Sequence, residues 1–195
     1  MKFIYIYIML LVTQVLFAQT EKFNFYFERL DNTVGLPSNE IRRIHQDSEG
    51  FMWFGARNGL IRYDGYKYVV YRNSISYPNL LTHNAIMSFA EDENFIWIGS
   101  ERGLNRWDKQ TRNIEKIDQN EINNARINKI ILTQHGYIWL ATSKGIFKYF
   151  WGTNALERLY FDPLQMGIED AYMDSKGRVW FGSWGNGLMR YNEES

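Results

Sequence analysis

The sequence predicts an all-β protein of the β-propeller class, and three observations support this prediction. One Trp-centred motif occurs four times. Its tryptophans are separated by 44, 42 and 41 residues (53 to 97, 97 to 139 and 139 to 180), which is close to the period of about 40–45 residues typical of propeller blades. The composition, with 15 Gly, 3 Pro and many aromatic residues, favours strands joined by frequent turns.

Each copy of the motif reads as a tight polar turn, an apolar strand centred on Trp, a glycine turn and a short strand that ends in an aromatic residue. In the first copy Asp47–Gly50 is the polar turn and Asn58-Gly59 is the glycine turn, a strong signal for a β-hairpin. The four copies occupy residues 47–64, 92–108, 133–150 and 174–192. Antiparallel strands joined in this way form one propeller blade.

We therefore predict about four four-stranded antiparallel blades, at residues 41–72, 84–118, 126–161 and 167–195, the last ending before a fourth strand. The repeated tryptophans are expected in the structural core between blades, each burying on the order of 200 Å². These residues are Trp53, Trp97, Trp139 and Trp180.

The first 18 residues are interpreted as a signal peptide. Lys2 precedes the apolar run Phe3–Val12, and Ala18 fits a cleavage position, which predicts an exported, periplasmic protein. The alternative, a membrane anchor, is disfavoured because the run is short for a span. No later segment is long and apolar enough to cross a membrane.

Residues 19–40 are predicted to form an N-terminal strand and a loop. Phe23, Phe25 and Phe27 alternate with polar residues or tyrosine, which is strand periodicity, so a strand is expected over Glu21–Leu30. If this strand completed the last blade, four blades could form a closed ring. The interpretation that we favour is an open arc truncated from a larger propeller, whose unpaired edges predict homodimerisation.

Composition excludes several classes of function. The 22 Lys and Arg residues balance 22 Asp and Glu residues, so no global field attracts nucleic acid or anionic lipid. Cysteine is absent, which rules out zinc–thiolate sites, thiol catalysis and disulfides. No cofactor or metal is expected.

The motif resembles the two-component regulator propeller repeat. The resemblance rests on Leu36-Pro37-Ser38-Asn39, Ile44-His45-Gln46-Asp47, Gly50–Gly55 and Gly59–Gly65, and on the later copy that begins at Trp97-Ile98-Gly99. In that family two seven-bladed propellers precede a β-sandwich, a membrane helix and a histidine kinase, and the periplasmic part senses oligosaccharides.

This resemblance implies that the chain is an N-terminal fragment of a periplasmic sensor, with an arc of a seven-bladed propeller that recognises a ligand or partner. The implied partners are the remaining blades, the downstream sensor domains and an oligosaccharide. The chain holds about half of one propeller and no kinase, so we expect it to be no enzyme and unable to transduce a signal alone.

Two alternatives remain open. Streptogramin lyases have similar repeats and use a His with acidic residues at the axis, where His83 near Glu40 or Glu169 would have to act. His45 and His135 occupy other places in the blade, which disfavours a shared catalytic or metal site. The second alternative is a secreted lectin-like binding module. The Asp residues of the polar turns are interpreted as turn formers and not as calcium ligands.

Ligand-binding candidates come from the loops before each first strand and after each Trp strand, which should line one rim of the propeller. Trp184 lies outside the repeat frame and is the best candidate for stacking on a sugar ring. The full set of rim candidates is Asn39, Arg57, Asn84, Arg102, Asn128, Lys144, Glu169 and Trp184.

Overall fold

The computed structural model describes Ile4 and residues 25–77, 80–159 and 167–191. Apart from a 3₁₀ turn at Asn32–Val34, the regular elements of residues 25–191 that it describes are strands. These are β1 (Ile41–Gln46), β2 (Met52–Ala56), β3 (Gly59–Tyr63), β4 (Tyr68–Tyr71), β5 (Ile86–Glu91), β6 (Phe95–Ser100), β7 (Gly103–Asp108), β8 (Ile114–Ile117), β9 (Ile127–Leu132), β10 (Ile138–Thr142), β11 (Gly145–Phe150), β12 (Ala155–Leu159), β13 (Ile168–Met173), β14 (Val179–Ser183) and β15 (Gly187–Tyr191).

The strands form four separate antiparallel sheets, each built from consecutive strands: β1–β4, β5–β8, β9–β12 and the three-stranded β13–β15. We call them blades 1 to 4. The sheets converge along their first strands, since β1 contacts β5, β5 contacts β9 and β9 contacts β13. The described residues therefore form an open arc of propeller blades around a common axis, and the predicted fold class is confirmed.

The polar turns of blades 1, 2 and 4 follow the predicted chemistry and also anchor the tryptophan of the next strand. Asp47 Oδ1 accepts hydrogen bonds from the backbone N–H groups of Glu49 and Phe51, while Gly50 adopts φ 89°, a conformation that glycine tolerates well. Asp47 Oδ2 accepts a 2.6 Å hydrogen bond from the indole of Trp53. One carboxylate thus closes the hairpin and fixes the large side chain of the next strand.

Apolar clusters fill the space between successive blades. Trp53 packs edge-on to Trp107 of blade 2, with ring centroids 5.3 Å apart. Trp97 contacts Tyr149 of blade 3 in the same way, and Trp139 contacts Phe181 of blade 4. Each of these three tryptophans therefore covers a face of the blade that follows it, which is why thin sheets can bury both faces.

Three of the four repeated tryptophans, Trp53, Trp97 and Trp139, are at most 1% exposed. Trp180 differs from the prediction because it is only partly buried. Its face of blade 4 also carries the exposed Tyr172, and no further blade covers it among the described residues.

A cluster of charged side chains joins blades 1 and 2 near their polar turns. Lys109 Nζ lies 2.7 Å from one carboxylate oxygen of Glu91, and His45 Nε2 lies 3.0 Å from the other. The backbone N–H of Ser48 donates to Glu91 as well. Burial alone would raise the pKa of Glu91, but hydrogen bonds from Lys109 and Ser48 outweigh it and lower the pKa to about 2, because they favour the ionised carboxylate.

The N-terminal segment differs from the prediction. Residues 25–30 form no strand, and Phe25, Tyr26 and Phe27 are 85–90% exposed. An alternating pattern does not by itself produce a strand, because the backbone N–H and C=O groups of a strand need hydrogen-bond partners on a neighbouring strand. None of the described strands pairs with this segment. The remainder of the predicted strand and the predicted signal peptide, Ile4 excepted, lie outside the described residues.

Candidate ligand-binding rim

One end of the arc carries the hairpins between second and third strands together with the connections that lead into each first strand. We call this end the axial rim. It holds the eight residues that the sequence predicts as rim candidates, because antiparallel pairing places these two sets of loops at the same end of every blade.

Each first strand has an irregularity at its second residue. In blade 1, Ile41 pairs with Ala56 and Arg43 pairs with Gly55, so one residue between them is unpaired. The same register shift occurs in every blade. β-Bulges of this kind redirect a side chain and are frequent next to functional sites. The four bulge residues are Arg42, Met87, Asn128 and Glu169.

A polar network joins the bulges of blades 3 and 4. The buried Asn128 donates from Nδ2 to the carbonyl oxygen of Ile168, at 2.6 Å, and accepts from Arg126 Nε at 2.8 Å. The guanidinium of Arg126 also forms an ion pair with Glu169 at 2.9 Å. Asn128 is therefore held rigidly, whereas Arg126 and Glu169 remain available to solvent.

The bulges of blades 1 and 2 combine a cation with a thioether. Arg42 Nη1 lies 3.3 Å from Met87 Sδ and 3.9 Å from a carboxylate oxygen of Glu101. Nearby on the same rim, Arg57 and Glu40 form an exposed ion pair at 3.7 Å. The rim thus presents exposed charges of both signs.

Several predicted rim residues make contacts within their own loops. Asn84 Oδ1 accepts from the backbone N–H of Asn73, and Asn39 Oδ1 accepts from that of Asn32. These two amides organise loop backbone and have less capacity left for a ligand.

The remaining candidates differ in which of their groups form hydrogen bonds. The side chain of Lys144 is held, since its Nζ donates to the carbonyl oxygens of Glu121 and Asn123. In Arg102 the backbone N–H donates to Ser100 Oγ. Trp184, which is 85% exposed, presents its indole to solvent in the hairpin between β14 and β15.

The sequence prediction missed Arg42, Met87 and Arg126, and it placed Asn128 and Glu169 in loops although both lie in strands. A regular spacing along the sequence marks these bulge residues. The bulge residue stands eleven positions before the repeated Trp in three blades, as from 42 to 53, and ten positions before it in blade 2, whose polar turn is one residue shorter.

The alternative lyase site is not assembled. His83 Nδ1 accepts from the backbone N–H of Ala85, and burial, aided by the nearby Arg102, lowers the pKa of His83. Glu40 and Glu169 pair with arginines, and neither forms a hydrogen bond or ion pair with His83 among the described residues. Those residues contain no cluster of His, Asp and Glu suited to a metal ion.

Comparison with known proteins agrees with this architecture. Residues 35–58 match the family model of the two component regulator propeller. This match confirms the predicted resemblance. A protein named Histidine kinase P4, from Formosa agariphila, is 37% identical over 51 residues, which are 26% of this chain and 4% of that protein.

Solved structures show the same fold. The extracellular domain of a protein described as a hybrid two-component system of B. thetaiotaomicron superposes with a TM-score of 0.63 and 24% identity, over 79% of this chain and 21% of that one. A virginiamycin B lyase of Staphylococcus aureus gives a TM-score of 0.60 and 14% identity, over 82% and 58% of the two chains. The chain thus spans about a fifth of that extracellular domain.

In the part of the chain that the structure describes, we find no helix with the length and hydropathy needed to span a lipid bilayer.

Proposed function

We propose that this chain is the ligand-recognition part of an exported two-component sensor and that its axial rim binds a carbohydrate. The family match over residues 35–58 and the fold of an extracellular sensor domain support the sensor role. The observation that carries the proposal is the bulge repeated in all four first strands, because it places one irregular residue per blade on the strands that converge, at a single end of the arc.

The chemistry of the rim suits a polar, largely neutral ligand. Arg42 and Arg126 supply donors, Glu169 supplies acceptors, and Trp184 offers an exposed aromatic face for stacking. Hydroxyl groups both donate and accept, so a sugar can bond to charges of both signs without bringing a net charge into the site. The rim is preorganised by the buried Asn128, which lowers the cost of binding.

Calorimetric titration of the protein with a panel of neutral oligosaccharides tests this function. Hydrogen bonds to charged groups contribute about 1.5–3 kcal/mol, so Arg42→Gln and Glu169→Gln should each weaken binding about tenfold or more. Glu157→Gln on the exposed outer strand β12 is the matched control and should bind like the unsubstituted chain. Absence of heat with every sugar, or equal affinities for the rim variants and the control, would contradict the proposal.

Export forms a second part of the proposal and rests on the first 18 residues. The mature chain is expected to begin at Gln19, after cleavage that follows Ala18. Intact-mass measurement of the protein recovered from the periplasmic fraction checks this, and a mass that retains Met1–Ala18 would contradict it.

A further inference from the structure

A cavity of about 900 Å³ lies between blades 3 and 4, at the end of the arc opposite the axial rim. Its walls are the polar turns before β10 and β14, and its floor consists of the buried Tyr137, Trp139 and Val179. The volume falls in the range of small-ligand sites, about 300–1,000 Å³. Cation, imidazole and aromatic groups line it, and none of its lining residues is acidic; they are Leu132, Thr133, Gln134, His135, Tyr137, Trp139, Met173, Ser175, Lys176, Gly177, Arg178, Val179 and Tyr191.

The side chains that line this cavity include cations and no carboxylate. Lys176 is exposed at its mouth and forms no ion pair with a described residue, while Arg178 is bonded to Asp174 at 2.7 Å. Behind the floor, the ammonium of Lys148 lies 4.7 Å from the ring centroid of Trp139 and 4.9 Å from that of Tyr191. An anionic group that entered would meet favourable electrostatics without displacing a lining carboxylate.

The indole N–H of Trp139 is the polar group on the cavity floor that lacks an acceptor among the described residues. In the other three blades this N–H donates to an aspartate: Trp53 to Asp47, Trp97 to Asp92 and Trp180 to Asp174.

In blade 3 Thr133 stands where the aspartate would be, six residues before Trp139. Its hydroxyl donates instead to the carbonyl oxygen of Tyr137, at 2.6 Å. Every fully buried side-chain nitrogen and oxygen of the described residues has a partner. The indole nitrogen of Trp139 is therefore not fully shielded, although the residue is only 1% exposed, and Trp139 is one of the residues that line the cavity.

We propose that this cavity binds an acidic sugar whose ring carboxylate takes the place of the missing aspartate, an inference that rests on the proposed carbohydrate recognition. The carboxylate accepts from the indole N–H of Trp139 and lies in the field of Lys176 and Arg178. The sugar ring packs against the aromatic side chains of Tyr137 and Tyr191, which both line the cavity. The missing acid and the positive lining are found together between blades 3 and 4, so the site is specific to that interface among the described blades.

Titration of ¹⁵N-tryptophan-labelled protein with glucuronate, glucose and benzoate, followed by the indole resonances, tests the site directly. Glucuronate should shift the Trp139 indole resonance, since a charged acceptor bonds to that N–H, and glucose should not. Benzoate carries a ring carboxylate without sugar hydroxyls. A Trp139 shift with benzoate but not with glucuronate would overturn the assignment to a sugar.

Two variants locate the binding. Thr133→Asp restores the aspartate of the other blades, so the chain should fold while glucuronate binding falls at least tenfold, because the indole gains its own acceptor and the new charge repels the ligand. Thr133→Asn is the uncharged control and should lose less affinity. Lys176→Gln should weaken binding about threefold.

The same titration separates this inference from the rim proposal. If glucuronate affinity is unchanged in Thr133→Asp but falls in Arg42→Gln, the acidic sugar binds at the axial rim, so the cavity assignment is wrong and the proposed function stands. If neutral oligosaccharides fail to bind while glucuronate shifts Trp139 and Thr133→Asp abolishes that shift, the cavity site stands and the rim proposal is wrong.

Discussion

Substitution of Gly99 by alanine should destabilise the protein strongly, because the added methyl group would collide with Ser88 of the same blade and with Ile127 of blade 3. Gly99 stands two residues after Trp97 in β6 and faces the first strand of the next blade. A Cβ at this position would overlap the hydroxyl of Ser88 and lie 2.8 Å from both the Cβ and the carbonyl oxygen of Ile127. Such distances are incompatible with van der Waals packing.

The magnitude follows from two contributions. Overpacking a well-packed interior costs about 1–3 kcal/mol. The added methyl also disrupts the 2.8 Å hydrogen bond from Ser88 Oγ to the carbonyl oxygen of Ile127, and a hydrogen bond contributes about 1 kcal/mol. A loss of about 3 kcal/mol is expected, which for a chain of this size lowers Tm by about 6–12 °C.

The repeat supplies matched controls at the same position of other blades. A Cβ at Gly182 would meet only the carbonyl oxygen of Asp170, at 3.9 Å, and one at Gly55 would lie 3.0 Å from Ile86. Alanine already occupies this place in blade 3, as Ala141. Thermal unfolding should therefore rank the free-energy losses as Gly99→Ala, then Gly55→Ala, then Gly182→Ala with almost none. Equal shifts for Gly99→Ala and Gly182→Ala would refute the packing argument.

Two further predictions concern stability against pH and self-association. The folded-state pKa of Glu91 lies below the ordinary value of 4.5, at about 2; its stabilisation is complete above about pH 4.5 and is lost as pH falls toward 2. Glu91→Gln should therefore reduce the free energy of unfolding, measured by urea titration, by up to about 3 kcal/mol at pH 7 and by nearly nothing at pH 2. The exposed Glu93→Gln is the control. An equal loss at both pH values, or an equal effect of Glu93→Gln, would contradict this prediction. The exposed Tyr172 and Leu188 on the uncovered side of blade 4 predict concentration-dependent homodimers, and a constant monomer mass by light scattering at all concentrations would contradict that prediction.

The sequence predicted the blades because hairpin geometry is local. Trp53 and Gly59 are six residues apart, and the register pairs Gly55 with Leu60 and Ala56 with Gly59 across that turn. A constant offset therefore translates directly into a constant hairpin. The N-terminal strand was predicted from alternation alone, and alternation describes a possible face of a strand without supplying a partner edge, so residues 25–30 remain unpaired.

The candidate sites were harder to predict, for two physical reasons. A bulge adds one residue to a strand while the apolar positions of the strand stay in place. The sequence pattern therefore does not distinguish the bulge residues Asn128 and Glu169 from residues of the preceding loops. The indole–aspartate bond joins residues in different elements, so Asp47 was recognised only as a turn former, and the consequence of Thr133 for Trp139 became visible only in three dimensions.

The central claim is that Trp-centred sheets shield one another around a common axis, and ¹⁹F NMR of protein labelled with 5-fluorotryptophan tests it most directly. Each of the seven tryptophans gives one resonance, assigned by substitution with Phe, whose shift between H₂O and D₂O reports solvent access. We predict almost no solvent-induced shift for Trp53, Trp97 and Trp107, which are at most 2% exposed, and a full shift for Trp184. Full solvent shifts at Trp53 and Trp97 would contradict the stacking of the blades.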